Sequence, residues 1–319
     1  MQLIYRELDA DIVRRTNALF PAQDCFVEVL PDQLIIPRKY IELGESIRSL
    51  PVYKDDVWMV SYPRTGSTWA QEMVWLLGHQ LDYEAAKEDI RSRAPLIELS
   101  ALFSTDHHQW VSQAFGNTVD MVRNLPRPRY ARSHLSWQLL PEQFDQIKPK
   151  IVYTARNPKD LCVSYYHYCK LLHGLNGDFE EFVELFLGGH TPMGPYWKHV
   201  LPFWKRSQDD NVLFIKYEDM VRDLPTVVQQ CAKFMNASHL LNETSLQRIC
   251  QHLQFDSMQN NSAVNLENVF PQQIGSGSKF IRKGKIGDWR NHMSEDISHR
   301  FDTWSEQQTR GSGLRFDYD

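Results

Sequence analysis

Tyr62-Pro63-Arg64-Thr65-Gly66-Ser67-Thr68-Trp69 is the stretch of sequence that decides the fold. An apolar run at 57–60 precedes it, and apolar residues at helical spacing follow it as far as Leu77. This order predicts a strand, a short loop and a helix. Free N–H groups and the positive dipole end at the start of such a helix favour an anion, and Arg64 adds donors suited to phosphate or sulfate oxygens. The same residues also fit a plain capped helix, since Ser and Thr are common N-caps, so this stretch alone leaves both interpretations open.

The loop lacks the pattern of a P-loop. That pattern needs four residues between two glycines, followed by Lys and then Ser or Thr, and the lysine is missing here. A nucleoside or small-molecule kinase would share the strand, loop and helix but should carry that lysine. The sequence therefore argues against a kinase.

The composition is that of a globular protein with a substantial core. Of 319 residues, 42% are hydrophobic and 24% are charged, which is ordinary for a globular domain, and the length suits one large α/β domain or two smaller ones. The net charge of −5 argues against nucleic acid as a partner. The histidines show no HExxH or Cys/His metal-binding spacing, so we expect no metal.

The sequence also predicts a cytoplasmic protein that does not contact membranes. The amino terminus has no basic segment followed by a long apolar core, so we expect no signal peptide. No run of about 18 apolar residues indicates a membrane span. The five cysteines form no CxxC pair, and we expect reduced thiols that mostly fill the core.

Further apolar runs predict that strands alternate with helices. The predicted strands are 57–60, 130–133, 150–156 and 211–216. Asn157 and Pro158 would cap and begin a helix after the third strand, and Pro225 would open a helix after the fourth. Such alternation favours an α/β fold with a mostly parallel central sheet and helices on both faces. Ligands of such sheets bind beyond the carboxyl ends of the strands. The polar residues at those ends are Arg64, His134, Arg156 and Tyr217.

No repeat, low-complexity tract or charge block divides the chain, so we expect residues 1–319 to form a single domain. The glycine-rich patch at 275–278 is a candidate linker, although a mobile surface loop explains it equally well. The carboxyl end, 309–319, is polar and is expected to fray.

Three blocks of the sequence carry a resemblance to a known family. They are YPRTGSTW at 62–69, ARNPKDLCVSYYHY at 155–168 and FIRKGKIGDW at 280–289, and shorter matching segments lie in the family's order at 132–135, 196–200 and 217–220. Over roughly 35–305 the chain resembles the cytosolic sulfotransferases. Members of that family transfer a sulfuryl group from 3′-phosphoadenosine 5′-phosphosulfate (PAPS). The resemblance therefore implies the same α/β fold, PAPS as co-substrate and no metal.

The resemblance also implies which positions bind the nucleotide. The 5′-phosphosulfate would be held by Arg64, Thr65, Gly66, Ser67 and Thr68. The adenine would lie near Trp69 and Phe255, and Tyr217 would contact the nucleotide. The 3′-phosphate would be held by Arg156, Ser164, Arg282, Lys283 and Gly284. A dianionic phosphate needs several cationic donors, and three cations with a serine hydroxyl meet that need. Taken alone, Arg156 could equally pair with a carboxylate such as Asp160.

His134 matches the general base of the family, and an unperturbed pKa near 6.5 lets histidine accept a hydroxyl proton at neutral pH. Arg64 and Arg132 stand where the family usually has lysine. Arginine keeps the charge that would stabilise the leaving phosphate, but its pKa exceeds 12, so it cannot donate a proton. A catalytically impaired nucleotide-binding relative is therefore one alternative. A PAPS-dependent dehydratase similar to retinol dehydratase, which would eliminate the sulfate, is another.

The acceptor is expected to be a small lipophilic compound with a hydroxyl or, less often, an amine. Candidate pocket residues are the aromatics Phe20, Phe103, Trp110, Tyr168 and Phe270. Each alone fits a core position better, but together they suggest an aromatic or isoprenoid acceptor such as a phenol, sterol or retinoid. The family's dimerisation signature maps onto Arg290, Ser294, Glu295 and His299. That match is poor and leaves monomer and homodimer open.

Overall fold

The predicted strands form one parallel sheet at the centre of the protein. The computed structural model describes residues 2–21, 23, 25–103, 116–266 and 280–319. Its strands are β1 (Ile4–Glu7), β2 (Phe26–Leu30), β3 (Leu34–Pro37), β4 (Val57–Ser61), β5 (Tyr130–Ser133), β6 (Lys150–Ala155) and β7 (Val212–Lys216). Its α-helices are α1 (Ala10–Leu19), α2 (Tyr40–Arg48), α3 (Ser67–Gly78), α4 (Ile90–Arg93), α5 (Thr118–Arg123), α6 (Phe144–Ile147), α7 (Pro158–Leu172), α8 (Phe179–Leu187), α9 (Tyr196–Lys205), α10 (Tyr217–Arg222), α11 (Leu224–Phe234), α12 (Glu243–His252), α13 (Phe255–Asn260) and α14 (Glu295–Thr309). Short 3-10 helices lie at Ala85–Lys87, Leu99–Ala101, Trp137–Leu139, Ser238–Leu240 and Asp288–Asn291.

The central sheet has the order β5-β4-β6-β7, and every neighbouring pair is parallel. All five residues of β4 are buried, and their side chains alternate between the two faces of the sheet. Val57 and Met59 belong to the buried cluster that contains α3 and α11 residues, whereas Trp58 and Val60 belong to the cluster that contains α7 and α9 residues. The predicted α/β fold, with a parallel central sheet and helices on both faces, is confirmed.

The carboxyl ends of these strands meet at one edge of the sheet. The loops after β4, β5 and β6 carry Arg64, His134 and Arg156, and Tyr217 begins α10 directly after β7. The sequence predicts a helix after the fourth strand only from Pro225 onward, so α10 was not predicted. Asn157 caps α7, since its side chain accepts a hydrogen bond from the Asp160 N–H at 2.8 Å, as predicted.

A second sheet at the amino end was not predicted from the sequence. It is antiparallel with the order β1-β2-β3. Its strands have only four or five residues, and β1 is mostly exposed, so the hydrophobic pattern is weak. The Ile35 N–H donates to the Gly194 carbonyl at 2.9 Å, and the Met193 N–H donates to the Ile35 carbonyl at 2.7 Å. These bonds tie the second sheet to the segment before α9.

The carboxyl-terminal residues pack on the protein, which differs from the expected fraying at 309–319. Leu314 is buried in the main core. The Trp204 indole N–H donates to the Ser312 carbonyl at 2.8 Å, and the Trp289 indole N–H donates to the Tyr318 carbonyl at 3.2 Å. The apolar side chains interspersed in this polar segment anchor it, because their burial outweighs the entropy gained by fraying.

The cysteines behave as the composition predicts. All five are free thiols, and Cys162, Cys169 and Cys231 are buried. Burial raises the pKa of the Cys231 thiol to about 12, so this thiol stays protonated and serves as an apolar core group.

Candidate active site

The loop between β4 and α3 is shaped by Gly66, which is the N-cap of α3. Its φ of +91° lies in the left-handed region, and a Cβ at this position would lie 2.8 Å from Cδ2 of Tyr217. Both constraints require glycine. The ring of Tyr217 therefore closes on the loop, while Ser67 and Thr68 begin the helix with their N–H groups at its positive dipole end.

A first cavity opens beside this loop, and every residue predicted to bind nucleotide lines it except Thr65. The lining consists of Arg64, Gly66, Ser67, Thr68, Trp69, Arg156, Ser164, Tyr217, Leu253, Phe255, Met258, Phe280, Ile281, Arg282, Lys283, Gly284 and Lys285. The structure thus brings residues from separate blocks of the sequence to one place.

The Thr65 side chain supports the loop instead of facing the cavity. Its hydroxyl donates to the Tyr62 carbonyl at 2.8 Å and lies 3.2 Å from the Thr154 hydroxyl on β6. Thr65 is fully buried. This hydroxyl therefore fastens the loop to the central sheet. That the loop at Thr65 holds the 5′-phosphosulfate stays a prediction.

Arg156, Arg282 and Lys283 are cations that line the first cavity. The Arg156 guanidinium lies over the Tyr217 ring, 4.2 Å from its centroid, and donates to the Lys285 carbonyl at 3.0 Å. Arg282 and Lys283 each bond to one carboxylate oxygen of Asp288, at 2.6 and 2.7 Å. Although partial burial opposes the charged form, hydrogen bonds from Lys283 and Arg282 hold the pKa of Asp288 well below its usual range. Asp288 therefore remains a carboxylate that fixes both cations.

Asp160 is not the partner of Arg156. Its carboxylate accepts hydrogen bonds from the Asn157 side chain and from the N–H groups of Gly287 and Trp289, at 2.9, 2.8 and 3.0 Å. Among the described residues, the Nε atoms of Arg156 and Arg282 are buried without a hydrogen-bond partner. Buried donors of this kind are costly unless a ligand or water satisfies them.

A second cavity adjoins the first. It is lined by Pro63, Arg64, Ser67, Thr68, Gln71, Ile90, Arg91, Ala94, Leu96, Leu99, Phe103, Arg132, His134, Tyr168, Leu172, Val264, Leu266 and Phe280. Arg64, Ser67, Thr68 and Phe280 line both cavities. The two spaces therefore meet at the start of α3.

Arg64 lies at the junction of the two cavities. Its Nε donates to the Ser164 hydroxyl at 3.2 Å, and one terminal N–H donates to the Phe280 carbonyl at 2.8 Å. Its guanidinium carbon lies 4.8 Å from the Phe280 ring centroid and 5.4 Å from that of Tyr168. Burial lowers the pKa of Arg64 to about 10, so the side chain remains a cation at neutral pH.

His134 is held with one ring nitrogen available to the second cavity. Its Nδ1 lies 2.7 Å from the Ser61 carbonyl. Because a carbonyl can only accept, we assign the ring proton to Nδ1, which leaves the Nε2 lone pair as an acceptor. Burial, together with the charge of Arg132, places the pKa of His134 well below its usual value. The imidazole is therefore neutral at neutral pH.

The backbone of His134 is fixed on both sides. The buried carboxylate of Glu98 accepts from the His134 N–H at 2.6 Å and from the Ser133 hydroxyl at 3.0 Å. The His199 Nε2 lies 3.0 Å from the His134 carbonyl, and the Tyr153 hydroxyl lies 2.8 Å from the His199 Nδ1. His199 therefore donates a hydrogen bond through Nε2 to the His134 carbonyl and accepts one through Nδ1 from the Tyr153 hydroxyl. Burial lowers the pKa of His199 to about 4, which favours this neutral tautomer.

The aromatic acceptor residues predicted from the sequence divide into three groups. Phe103 and Tyr168 line the second cavity. Phe20 does not: it is fully buried and packs edge-on against Phe26, with ring centroids 5.7 Å apart, beneath the second sheet. The prediction of Phe20 as a pocket residue is corrected: Phe20 is a core residue that packs against β2 of the amino-terminal sheet, which is not apparent from the sequence. Trp110 and Phe270 lie outside the described residues, as does the patch at 275–278.

Comparison with known proteins decides the family. A model of the sulfotransferase domain matches residues 54–313. The chain belongs to the sulfotransferase family. Luciferin sulfotransferase of Photinus pyralis is 35% identical over 316 residues, covering 95% of this chain and 85% of the relative. Human sulfotransferase 1E1 is 32% identical over 288 residues, covering 89% of this chain and 93% of the relative. The family predicted from the three sequence blocks is confirmed, and the protein is an enzyme of this class.

Two solved structures of retinol dehydratase resemble this sulfotransferase over nearly its whole length. One, in complex with retinol and 3′-phosphoadenosine 5′-phosphate (PAP), has a TM-score of 0.93 and 29% identity and covers 99% of both chains. The other, in complex with androsterone and the inactive cofactor PAP, has a TM-score of 0.92 and 29% identity and covers 99% of this chain and 98% of that one. The fold of the sulfotransferase is therefore shared along the whole chain.

Several residues that shape the site of this sulfotransferase were missed from the sequence. Gln71, Glu98 and Asp288 hold Arg132, His134 and the cations of the first cavity. A polar residue within an apolar helical run, such as Gln71, is a signal of a buried contact that could have been used. The apolar lining residues carry no such signal, because a cavity wall and a core position look alike in sequence.

The described part of the chain offers neither a metal site nor a membrane-spanning helix. It contains no group of three or more His, Cys, Asp or Glu residues placed to hold a metal ion. Among the same residues, no helix combines the length and the apolar character needed to cross a bilayer.

Proposed function

We propose that this sulfotransferase moves a sulfuryl group from PAPS to a hydroxyl, or less often an amine, of a small lipophilic acceptor, with His134 as general base. The observation that carries the proposal is the junction of the two cavities. A cation-lined space and a largely apolar space meet at Arg64, Ser67 and Thr68. A donor that occupied the first space and an acceptor that occupied the second would approach each other there.

The first cavity suits the three anionic parts of PAPS. Arg156, Arg282 and Lys283 form a cationic group for the 3′-phosphate, and the buried unpaired Nε atoms of the two arginines fit a ligand that is rich in acceptors. The helix start at Ser67 suits the 5′-phosphosulfate. Trp69, Tyr217 and Phe255 offer aromatic surface for the adenine. The PAP complexes of retinol dehydratase support the same assignment.

The second cavity suits the acceptor and the proton transfer. The acceptor hydroxyl would give its proton to Nε2 of His134 as its oxygen attacks sulfur. The new O–S bond would form as the bond from sulfur to the phosphate oxygen breaks, and PAP would leave. By analogy with phosphoryl transfer, the transition state is loose and charge builds on the leaving oxygen. Arg64, Arg132 and the N–H groups at the start of α3 would stabilise that charge.

Dehydration is the second candidate. It is favoured by the likeness to retinol dehydratase, which has a TM-score of 0.93 over 99% of both chains. The same site would then sulfate an allylic alcohol and eliminate the sulfate. The third candidate, a nucleotide-binding protein without turnover, rests on arginine at 64 and 132 where the family usually has lysine.

A transfer assay with ³⁵S-labelled PAPS separates these candidates. Phenols, sterols, retinoids and amines are incubated with the enzyme, and products are resolved by chromatography and mass spectrometry. We expect label in an organic sulfate. A dehydrated product with free inorganic [³⁵S]sulfate would support the dehydratase. Tight PAP binding with no product from any acceptor would contradict both enzymatic proposals.

A further inference from the structure

The segment 314–319 is anchored close to the cations of the first cavity, although it lines neither cavity. The Tyr318 carbonyl accepts two hydrogen bonds, one from the Trp289 indole N–H at 3.2 Å and one from a terminal N–H of Arg290 at 3.0 Å. Both donors belong to the 3-10 helix Asp288–Asn291. This short helix is therefore bonded directly to the backbone of the segment.

A buried lysine on α7 adds a second link between the segment and the 3-10 helix. The Lys159 ammonium lies 4.3 Å from the Trp289 ring centroid and 5.3 Å from that of Tyr318. It also pairs with Asp302 of α14 at 2.7 Å, and the Lys159 side chain is only 4% exposed. A cation with so little access to water is attracted more strongly to aromatic faces than an exposed one. Lys159 therefore holds the two rings at one place.

The first residue of the 3-10 helix connects these contacts to the nucleotide site. Asp288 binds Arg282 and Lys283 through one carboxylate oxygen each, at 2.6 and 2.7 Å. The Asp160 carboxylate accepts from the N–H groups of the residues directly before and after Asp288, at 2.8 and 3.0 Å. The backbone at Asp288 is thus fixed by α7 and, one and two residues later, by the segment 314–319. The positions of both cations depend on these anchors.

We propose that residues 317–319 are positioning residues for the 3′-phosphate: by holding the 3-10 helix they keep Asp288, and with it Arg282 and Lys283, where the phosphate binds. This inference rests on the proposed function, which assigns these two cations to the 3′-phosphate. Donors that are already in place bind an anion more tightly than mobile donors, because less conformational entropy is lost on binding. Loosening the segment should therefore weaken binding of a nucleotide with a 3′-phosphate and spare one without it.

Calorimetric titration of the full chain and of a variant that lacks residues 317–319 tests the inference without turnover. The probes are PAP and 5′-AMP, which differ only in the 3′-phosphate. We expect the deletion to weaken PAP binding at least tenfold and to change 5′-AMP binding less than twofold. The deletion also removes the carboxylates of Asp317 and Asp319. By charge alone, this removal would strengthen binding of PAP, the more anionic nucleotide, so the expected loss has the opposite sign.

A substitution tests the same link from the other side. Trp289→Phe removes the indole N–H that donates to the Tyr318 carbonyl but keeps an aromatic ring beside Lys159. It should lower the ratio of PAP affinity to 5′-AMP affinity at least threefold. Trp204→Phe is the matched control, because the Trp204 indole N–H donates to the Ser312 carbonyl at 2.8 Å, outside the 3-10 helix; it should leave the ratio unchanged. If thermal unfolding shows that the deletion variant is not folded, these two substitutions decide the test.

Three outcomes overturn the inference. The first is that the folded deletion variant, or Trp289→Phe, keeps the affinity ratio of the parent. The second is that the deletion weakens PAP and 5′-AMP by the same factor, which would indicate a general structural role. The third is that Trp204→Phe lowers the ratio as much as Trp289→Phe does. Failure of the proposed 3′-phosphate site looks different: the parent itself would bind PAP and 5′-AMP equally, and the inference would fall with it.

Discussion

Gly284→Ala should weaken PAP binding by displacing Phe255. A Cβ at position 284 would lie 2.2 Å from Cδ2 of Phe255, whereas carbon atoms in contact are about 3.5–4.0 Å apart, so the ring must move by roughly 1.5 Å. Both residues line the first cavity. If Phe255 packs on the adenine, the loss approaches the value of a base–aromatic stack, about 1–3 kcal/mol. PAP affinity should then fall roughly 5- to 150-fold, as measured by calorimetric titration.

Gly313→Ala is the matched control for this substitution. Gly284 and Gly313 have φ angles of +67° and +72°, but nothing lies within 4 Å of a Cβ at Gly313. Backbone strain should therefore lower the free energy of unfolding of both variants by about 1–2 kcal/mol, and thermal unfolding should show this loss of stability in each. Only Gly284→Ala should lose PAP affinity. If the two variants bind PAP as tightly as each other, Phe255 does not pack on the nucleotide and the assignment of the adenine site is refuted.

Four further predictions concern the residues of the two cavities. His134→Ala should lower turnover roughly 10²–10⁴-fold and leave PAP affinity unchanged, because its role is limited to the acceptor proton; near-normal turnover would contradict this role. Because the pKa of His134 is lowered in the free protein, its base form is lost only as pH falls through that lowered value, so the acid limb of the kcat/KM profile should lie well below pH 6.5; a limb at or above 6.5 would point to another base. PAP should bind at least 100-fold more tightly than 5′-AMP, because Arg156 and Arg282 would each add charge-assisted bonds of about 1.5–3 kcal/mol. Equal calorimetric affinities for the two nucleotides would contradict the assignment of these residues to the 3′-phosphate. Arg64→Lys should keep PAP affinity within about tenfold, while Arg64→Ala should lose most turnover; a fully active Arg64→Ala would place Arg64 outside the chemistry.

The central sheet could be predicted because its strands carry a strong local signal. β4 and β6 are buried on both faces, so they read as continuous apolar runs bounded by loop residues. The antiparallel sheet of β1, β2 and β3 could not be predicted in the same way, since β1 is largely exposed. Its pairing also depends on bonds to the distant Gly194 segment. The sequence consequently suggests a pocket position for Phe20, whereas the structure places this residue in the core.

The nucleotide side of the site was more predictable than the acceptor side. Loop and cation residues such as Gly66 and Arg156 have side chains whose chemistry is specific, and they follow strand ends. The aliphatic residues in the wall of the second cavity, such as Ile90, Leu99 and Leu172, come from α4, the 3-10 helix at Leu99–Ala101 and α7. Which of these residues face a cavity depends on tertiary packing, and the pattern of one sequence does not contain that information.

The proposed chemistry depends on β4 in two ways at once. Its last residue, Ser61, provides the carbonyl that fixes the Nδ1 proton of His134, and three residues later Arg64 reaches the junction of the cavities. Ser61 is itself held in register with Thr154 of β6, and Thr154 also contacts the Thr65 hydroxyl. A shift of β4 would therefore disturb the tautomer of the base and the position of the cation together. On the proposed mechanism, the hydrogen bonds between the adjacent parallel strands β4 and β5 set the distance between His134, which would take the proton, and Arg64, which would stabilise the leaving oxygen.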